Sequence, residues 1–163
     1  MKNLFLIRHA KSSWDDMSLK DFDRPLNERG HRDAEDMANR LKNKEIVFDK
    51  ILSSPAKRAQ TTARYFHDIL EVEATKLELV ANIYQAYEGD IIKLIQNTSS
   101  SINNLAIFGH NPTFTILANK FGDNYIMNVP TCGIISVNFE TELWSNFLNA
   151  QRKMLFFDFP KNK

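Results

Sequence analysis

The sequence predicts an α/β fold, a three-layer α/β/α sandwich around a mostly parallel sheet that closes on an antiparallel C-terminal edge. Three observations carry this. Short apolar runs at residues 4–7, 50–53 and 104–109 read as buried strands. Two of them run directly into helix-start signals, Ser54-Pro55 and Asn111-Pro112, where the polar residue suits an N-cap and proline the first helical position. Residues 133–139 and 154–159 then read as two strands with no helix between them, which argues for antiparallel pairing.

Taken in order, residues 4–7 are four consecutive apolar residues, followed at once by Arg8 and His9. A cation and an imidazole at the rim of a core are costly there unless they face something, and ligands of open α/β sheets bind beyond the carboxyl ends of the strands. Residues 11–23 form a polar connection with Trp14, Asp15, Asp16 and Asp21, long enough to line a site. Arg24-Pro25-Leu26 makes a turn, and Asn27 caps a helix to about Lys44 whose apolar face is Ala34, Met37, Ala38 and Leu41. A strand at 48–53 leads to a helix at 56–70 with Ala59, Ala63, Phe66 and Leu70 inward.

Residues 75–84 mix apolar and charged positions, as a short, more exposed strand would. Glu88-Gly89-Asp90 precedes a helix face of Ile91, Leu94 and Ile95, and residues 97–101 form a loop. The strand at 105–108 leads to a helix at 112–121, with Gly122 as its stop. No repeat or internal boundary is visible, so residues 1–163 are expected to form one domain.

Apolar residues at 43% and charged residues at 25% suit a soluble globular protein, and a net charge of +1 gives no reason to expect nucleic acid or a membrane as partner. The lone Cys132 rules out a disulfide framework or cysteine-based zinc site and reads as packing. With no secretory leader pattern and no apolar run of membrane-spanning length, a cytoplasmic protein is expected.

The strand ends direct Arg8, His9, Arg58 and His110 to one sheet edge beside helix N-termini, a favourable setting for phosphate. Guanidinium groups match phosphate oxygens bidentately and stay charged. A neutral His9, its pKa lowered by two arginines, is a competent nucleophile toward phosphorus. A protonated His110 would stabilise charge on the transferring group together with both arginines. The protein thus supplies the cations without a metal or other cofactor, and no His pair has metal-site spacing.

Ordinary alternatives stand beside each element. An Arg-His pair can simply be a polar strand end, and His110 can cap backbone groups. Arg58 in a first helical turn opposes the helix dipole, so it implies a nearby anion or a salt bridge. His31 and His67 fall on polar helix faces and are expected to be exposed.

Four blocks then resemble the histidine phosphatase superfamily, the phosphoglycerate mutase-like proteins. They are Leu4-Phe5-Leu6-Ile7-Arg8-His9-Ala10, Arg24-Pro25-Leu26-Asn27-Glu28-Arg29-Gly30, the run from Ser53 to Ala63, and Gly109-His110-Asn111-Pro112. The form around Arg8 to Asp15 and the Thr131-Cys132-Gly133 ending are most similar to the small phosphohistidine phosphatases of the SixA type. The resemblance implies His9 as nucleophile, Arg8 and Arg58 as phosphoryl clamps, and His110 as the second histidine of the pocket. It also implies that Arg24 reaches the pocket rim, unless it pairs with Asp21 or Asp23, and that Ser12 touches phosphate, unless it caps the loop.

Ala10 stands where relatives carry glycine, a change the SixA-like proteins share. The proton-donating glutamate of mutases is missing from Asn82-Ile83-Tyr84-Gln85-Ala86-Tyr87, leaving Glu88 or Asp15 as substitutes. This suits a labile P–N bond better than an ester. The connections are too short for the long insertions that roof the pocket in mutases, so an open cup is expected. The implied function is dephosphorylation of phosphohistidine on a protein of the histidine-phosphotransfer kind. The alternatives are a phosphomonoesterase for a small metabolite and a non-catalytic module that binds phosphorylated ligands.

Overall fold

The computed structural model describes residues 1–163. Its strands are β1 (Lys2–Arg8), β2 (Lys50–Ser53), β3 (Leu77–Leu79), β4 (Asn104–Gly109), β5 (Ile134–Phe139) and β6 (Arg152–Asp158). They form one sheet in the order β3-β2-β4-β1-β5-β6. β1 to β4 run parallel, β5 is antiparallel to β1, and β6 is antiparallel to β5. The helices are α1 (Glu28–Asn43), α2 (Lys57–Ile69), α3 (Glu88–Gln96) and α4 (Thr113–Phe121). The expected α/β sandwich with its antiparallel edge is the fold of this chain.

Side-chain alternation along β1 sets the layers. Leu4 and Leu6 join a core with Ile91 and Ile95 of α3 and Phe114, Leu117 and Phe121 of α4. Phe5 and Ile7 face a second core with Ala34, Met37 and Leu41 of α1 and Ala63 and Phe66 of α2. All four strand residues are buried. At roughly 1.5–3 kcal/mol for each large aliphatic or aromatic side chain, burial on both faces fixes the register of β1 and hence where its end points.

Local departures have physical reasons. The strand expected over 75–84 shrinks to Leu77–Leu79, between 3-10 segments at Ala74–Lys76 and Ala81–Ile83. It is a sheet edge paired only to β2, and most of it is exposed. α2 begins after Ala56, which makes no side-chain cap bond, and α4 begins after Pro112. Ser54 and Asn111 therefore lie outside the cap position. Ser54 Oγ still accepts the Ala56 N–H at 3.2 Å, and Asn111 Oδ1 accepts the Thr115 N–H at 3.2 Å.

Gly122 ends α4 in extended backbone rather than the left-handed conformation (φ −91°). Space is what requires glycine there: a Cβ would sit 2.5 Å from Met154 Cε and 2.8 Å from the Ala118 carbonyl oxygen. The β5–β6 connection, expected to lack a helix, contains a 3-10 segment at Trp144–Asn149 whose Trp144 and Phe147 are buried in the first core. No helix is long and apolar enough to cross a membrane.

Candidate active site

β1 and β4 are parallel neighbours, and their register pairs Arg8 with Gly109. The residues that follow, His9 and His110, therefore emerge side by side, with ring centroids 5.3 Å apart. β2 ends beside β4, with Ser53 opposite Phe108, and α2 starts just beyond it, carrying Arg58 inward. The Arg58 Nε lies 3.4 Å from His9 Nε2. The geometry thus gathers His9, Arg58 and His110 as the sequence predicts, with Arg8 at the end of β1.

Backbone bonds hold the nucleophile candidate. His9 Nδ1 is 2.7 Å from the carbonyl oxygen of Ala10. A carbonyl only accepts, so Nδ1 carries the proton and Nε2 keeps its lone pair. The Ala10 N–H donates to Thr62 Oγ1 at 3.0 Å, and the Thr62 hydroxyl donates to the Arg58 carbonyl at 2.7 Å. The His9 carbonyl accepts the N–H of Cys132, whose backbone is left-handed (φ 59°), at 3.0 Å. Cys132 is buried, as the packing reading expected, and burial pushes its thiol up from the ordinary value.

Both imidazoles are neutral at neutral pH. Burial is the main cause for His9, joined by His110, Arg58 and Arg8; the Ala10 bond opposes them, and the pKa falls to about 3. The two arginines expected to dominate are thus secondary to desolvation. His110 is lowered to about 4, by burial first and then by Arg58 and Arg8, with Asp21 opposing. The condition under which a charged His110 would stabilise the transferring group, its protonation, is thus not met in the free site. Ser54 Oγ, which accepts from Ala56, has its own proton free for His110 Nε2 at 2.8 Å. With the Ser54 hydroxyl donating in that bond, the His110 proton sits on Nδ1, which is then a neutral donor.

Two buried donors lack partners here: Arg8 Nε and His110 Nδ1. Leaving buried donors unsatisfied costs roughly 1–3 kcal/mol each, which a bound acceptor would recover. Arg8 is held by a 2.9 Å bond from Nη1 to the Val129 carbonyl oxygen.

Asp21 has a larger place than the sequence suggested. Its Oδ2 accepts from Arg58 Nη2 at 3.0 Å and from the Tyr84 hydroxyl at 2.7 Å, while Oδ1 accepts from Arg24 Nη2 at 3.1 Å. Its main-chain carbonyl takes Arg58 Nη1 at 2.6 Å. Burial pushes the Asp21 carboxyl up, but the Tyr84 and Arg58 bonds and the arginine charge outweigh it, to a pKa of about 2. Asp21 is thus the one of the two carboxylates weighed from sequence, Asp21 and Asp23, that pairs with Arg24. Arg24 also donates to Ser12 Oγ at 2.7 Å and stacks 3.6 Å from the Trp14 ring centroid. Ser12 and Arg24 are buried and bonded to one another.

The two carboxylates considered as proton donors are elsewhere engaged or exposed. Glu88 pairs with Lys120 at 2.8 Å, and Asp15 is a solvent-exposed loop residue. His31 is exposed and contacts the Tyr65 hydroxyl; His67 is half-buried rather than exposed, 2.7 Å from Asp68. Sequence reasoning missed Ser54, Thr62 and Tyr84 as neighbours of the cup. Ser54 and Thr62 fall within the Ser53–Ala63 block, but nothing in the sequence tied either to His9 or His110.

Paired neutral imidazoles and paired guanidinium groups at the carboxyl edge of a parallel sheet make a setting suited to an anion. The chain belongs to the histidine phosphatase superfamily (branch 1), which it matches over residues 4–98. His110 lies beyond that match and reaches the cup through the β1–β4 pairing.

A chloroplast protein of Arabidopsis thaliana with no assigned function is 34% identical over 119 residues, 68% of this chain; the chain spans about half (54%) of that protein's length. The structure of the protein histidine phosphatase SixA complexed with tungstate shares the fold, with a TM-score of 0.82 and 22% identity over 98% of each chain. A phosphoserine phosphatase from Entamoeba histolytica in complex with 3-phosphoglyceric acid is similar at a TM-score of 0.66, with 14% identity over 97% of each chain. Family and fold together support hydrolase activity in general and leave the substrate open between these kinds.

Proposed function

We propose that this chain is a metal-independent phosphatase that works through a phosphohistidine at His9 and removes phosphoryl groups from phosphohistidine on a protein. The observation that carries this is the single tautomer of His9, with its Nε2 lone pair facing Arg58 beside buried donors that have no partner. In the first step Nε2 forms a bond to phosphorus as the bond to the leaving group breaks. Arg8, Arg58 and the neutral His110 Nδ1–H stabilise charge on the transferring oxygens. Water then attacks the phosphoryl group on His9, releasing phosphate and returning the neutral imidazole. Arg24 and Ser12 act behind this layer, with Arg24 fixing Asp21.

Three features support a protein-borne substrate. The likeness to the SixA structure (TM-score 0.82) exceeds that to the phosphoserine phosphatase (0.66). The connections between strands and helices are short, the longest at the cup being residues 9–27 between β1 and α1. Trp14, Phe22 and Tyr87 are exposed on neighbouring loops, and aromatic residues of this kind are enriched at protein interfaces.

The test presents chelator-treated protein with a phosphohistidine-bearing protein and with p-nitrophenyl phosphate, using wild type and His9→Ala. Faster turnover of the phosphoramidate, lost in His9→Ala, is the expected result. Faster turnover of the ester would favour a small phosphomonoester substrate, and tight binding without turnover would favour a phospholigand-binding module.

A further inference from the structure

The cup holds an ionised carboxylate where an incoming dianion must approach, and that arrangement calls for a reason. Asp21 sits one guanidinium away from the nucleophile, because Arg58 touches His9 Nε2 through Nε and Asp21 through Nη2. Its side chain is half exposed, at 51%, so a ligand can reach it beside the arginines. Three of its four side-chain contacts are arginine N–H groups; the fourth is the Tyr84 hydroxyl. A ligand N–H can replace that hydroxyl without disturbing either ion pair.

We propose that Asp21 is a specificity-determining residue that selects N-phosphorylated substrates with a cationic leaving group over phosphate esters. This rests on the function proposed above and names how the site recognises its substrate. The Ala10 carbonyl shows the principle on the enzyme's own ring: it holds the proton on Nδ1 while Nε2 serves as the reactive nitrogen. Asp21 does the same for the ring that leaves. A phosphorylated imidazole carries a proton on its far nitrogen near neutral pH, and an ionised carboxylate at the mouth stabilises that N–H.

The step balances without an added acid. The His9 Nε2 lone pair forms the new N–P bond. The old N–P pair stays on the departing ring, which already holds its proton and leaves as neutral imidazole. An ester oxygen would leave as an anion. The groups within reach offer it no ready proton, since Asp21 is ionised and the Tyr84 hydroxyl, its pKa raised by burial and by Asp21, is bonded to that carboxylate. Asp21 then adds repulsion to the developing charge.

The test compares Asp21→Asn and Asp21→Glu with wild type on a phosphohistidine peptide and on p-nitrophenyl phosphate, reading the ratio of the two kcat/KM values. Competition by inorganic phosphate reports whether the cup is intact. Asp21→Asn is expected to lower the ratio by about tenfold or more while phosphate still competes, and Asp21→Glu to restore part of it. A fall of both substrates by the same factor would mean that Asp21 only orients Arg58, which overturns the inference and leaves the proposed function standing. A wild type that prefers the ester would instead overturn the proposed function.

Discussion

The two halves of the sheet divide the labour. The parallel half, β3-β2-β4-β1, ends in the side chains of the cup: Arg8 and His9 after β1, Arg58 after β2, His110 after β4. The antiparallel half, β5 and β6, brings none of these side chains. It and the segment leading into it supply backbone instead: the Val129 carbonyl to Arg8, the Gly133 carbonyl to the Arg8 N–H at 3.0 Å, and the Cys132 N–H to His9. Parallel strands point their carboxyl ends the same way, so one edge collects reactive groups. An antiparallel neighbour begins where β1 ends, so its leading residues prop the site through the main chain.

The contrast can be broken most sharply at His9, the proposed nucleophile. His9→Ala is expected to lower kcat on the order of 10³-fold or more, with the unfolding midpoint near that of wild type. A variant retaining substantial turnover would place the chemistry elsewhere. Arg8→Ala and Arg58→Ala should each cost about 10²–10³-fold, as loss of one preorganised donor to a transferring group does. Single-turnover kinetics would separate this loss from weaker binding.

In the antiparallel half the sign of the effect changes from activity to stability. Trp144 is 1% exposed and donates from Nε1 to the Ile102 carbonyl at 2.7 Å. Trp144→Ala should cost about 3–5 kcal/mol in denaturant unfolding, with kcat of the folded fraction unchanged. A loss of kcat without loss of stability would show that the halves are not separable.

The smallest effect is a pH slope. His9 and His110 titrate at about 3 and about 4 when folded, against an ordinary value of 6.5, so between these values the unfolded chain binds more protons. Stability therefore falls as pH drops from about 6.5 toward 4, and His110→Gln should flatten that slope in unfolding midpoints measured across the range. An unchanged slope would mean that the imidazoles are solvated rather than buried.

The side chains gathered in the cup were legible in the sequence. His9, Arg8, Arg58 and His110 follow apolar runs, and the end of a buried strand is a place the period of the pattern can locate. The two cores were readable for the same reason, because burial on a sheet face or helix stripe repeats regularly. What the pattern could not give were contacts that depend on backbone direction. The reach of Ser54 to His110, the bond of Thr62 to Ala10, and the collision that excludes a side chain at Gly122 arise only when distant segments meet. The role of Asp21 was half visible: its pairing with Arg24 follows from i,i+3 spacing, whereas its hold on Arg58 crosses 37 positions. The charge state of His110 stayed open in the sequence, because burial, its largest cause, depends on what the fold packs around the ring.

The short bond from His9 Nδ1 to its neighbour's carbonyl has a consequence for regiochemistry. With that nitrogen committed as a donor, the ring offers phosphorus one atom only, so any covalent intermediate is a single isomer, substituted at the tele nitrogen. Phosphorus NMR of the quenched protein would then show one phosphoimidazole resonance where a freely rotating histidine would give two.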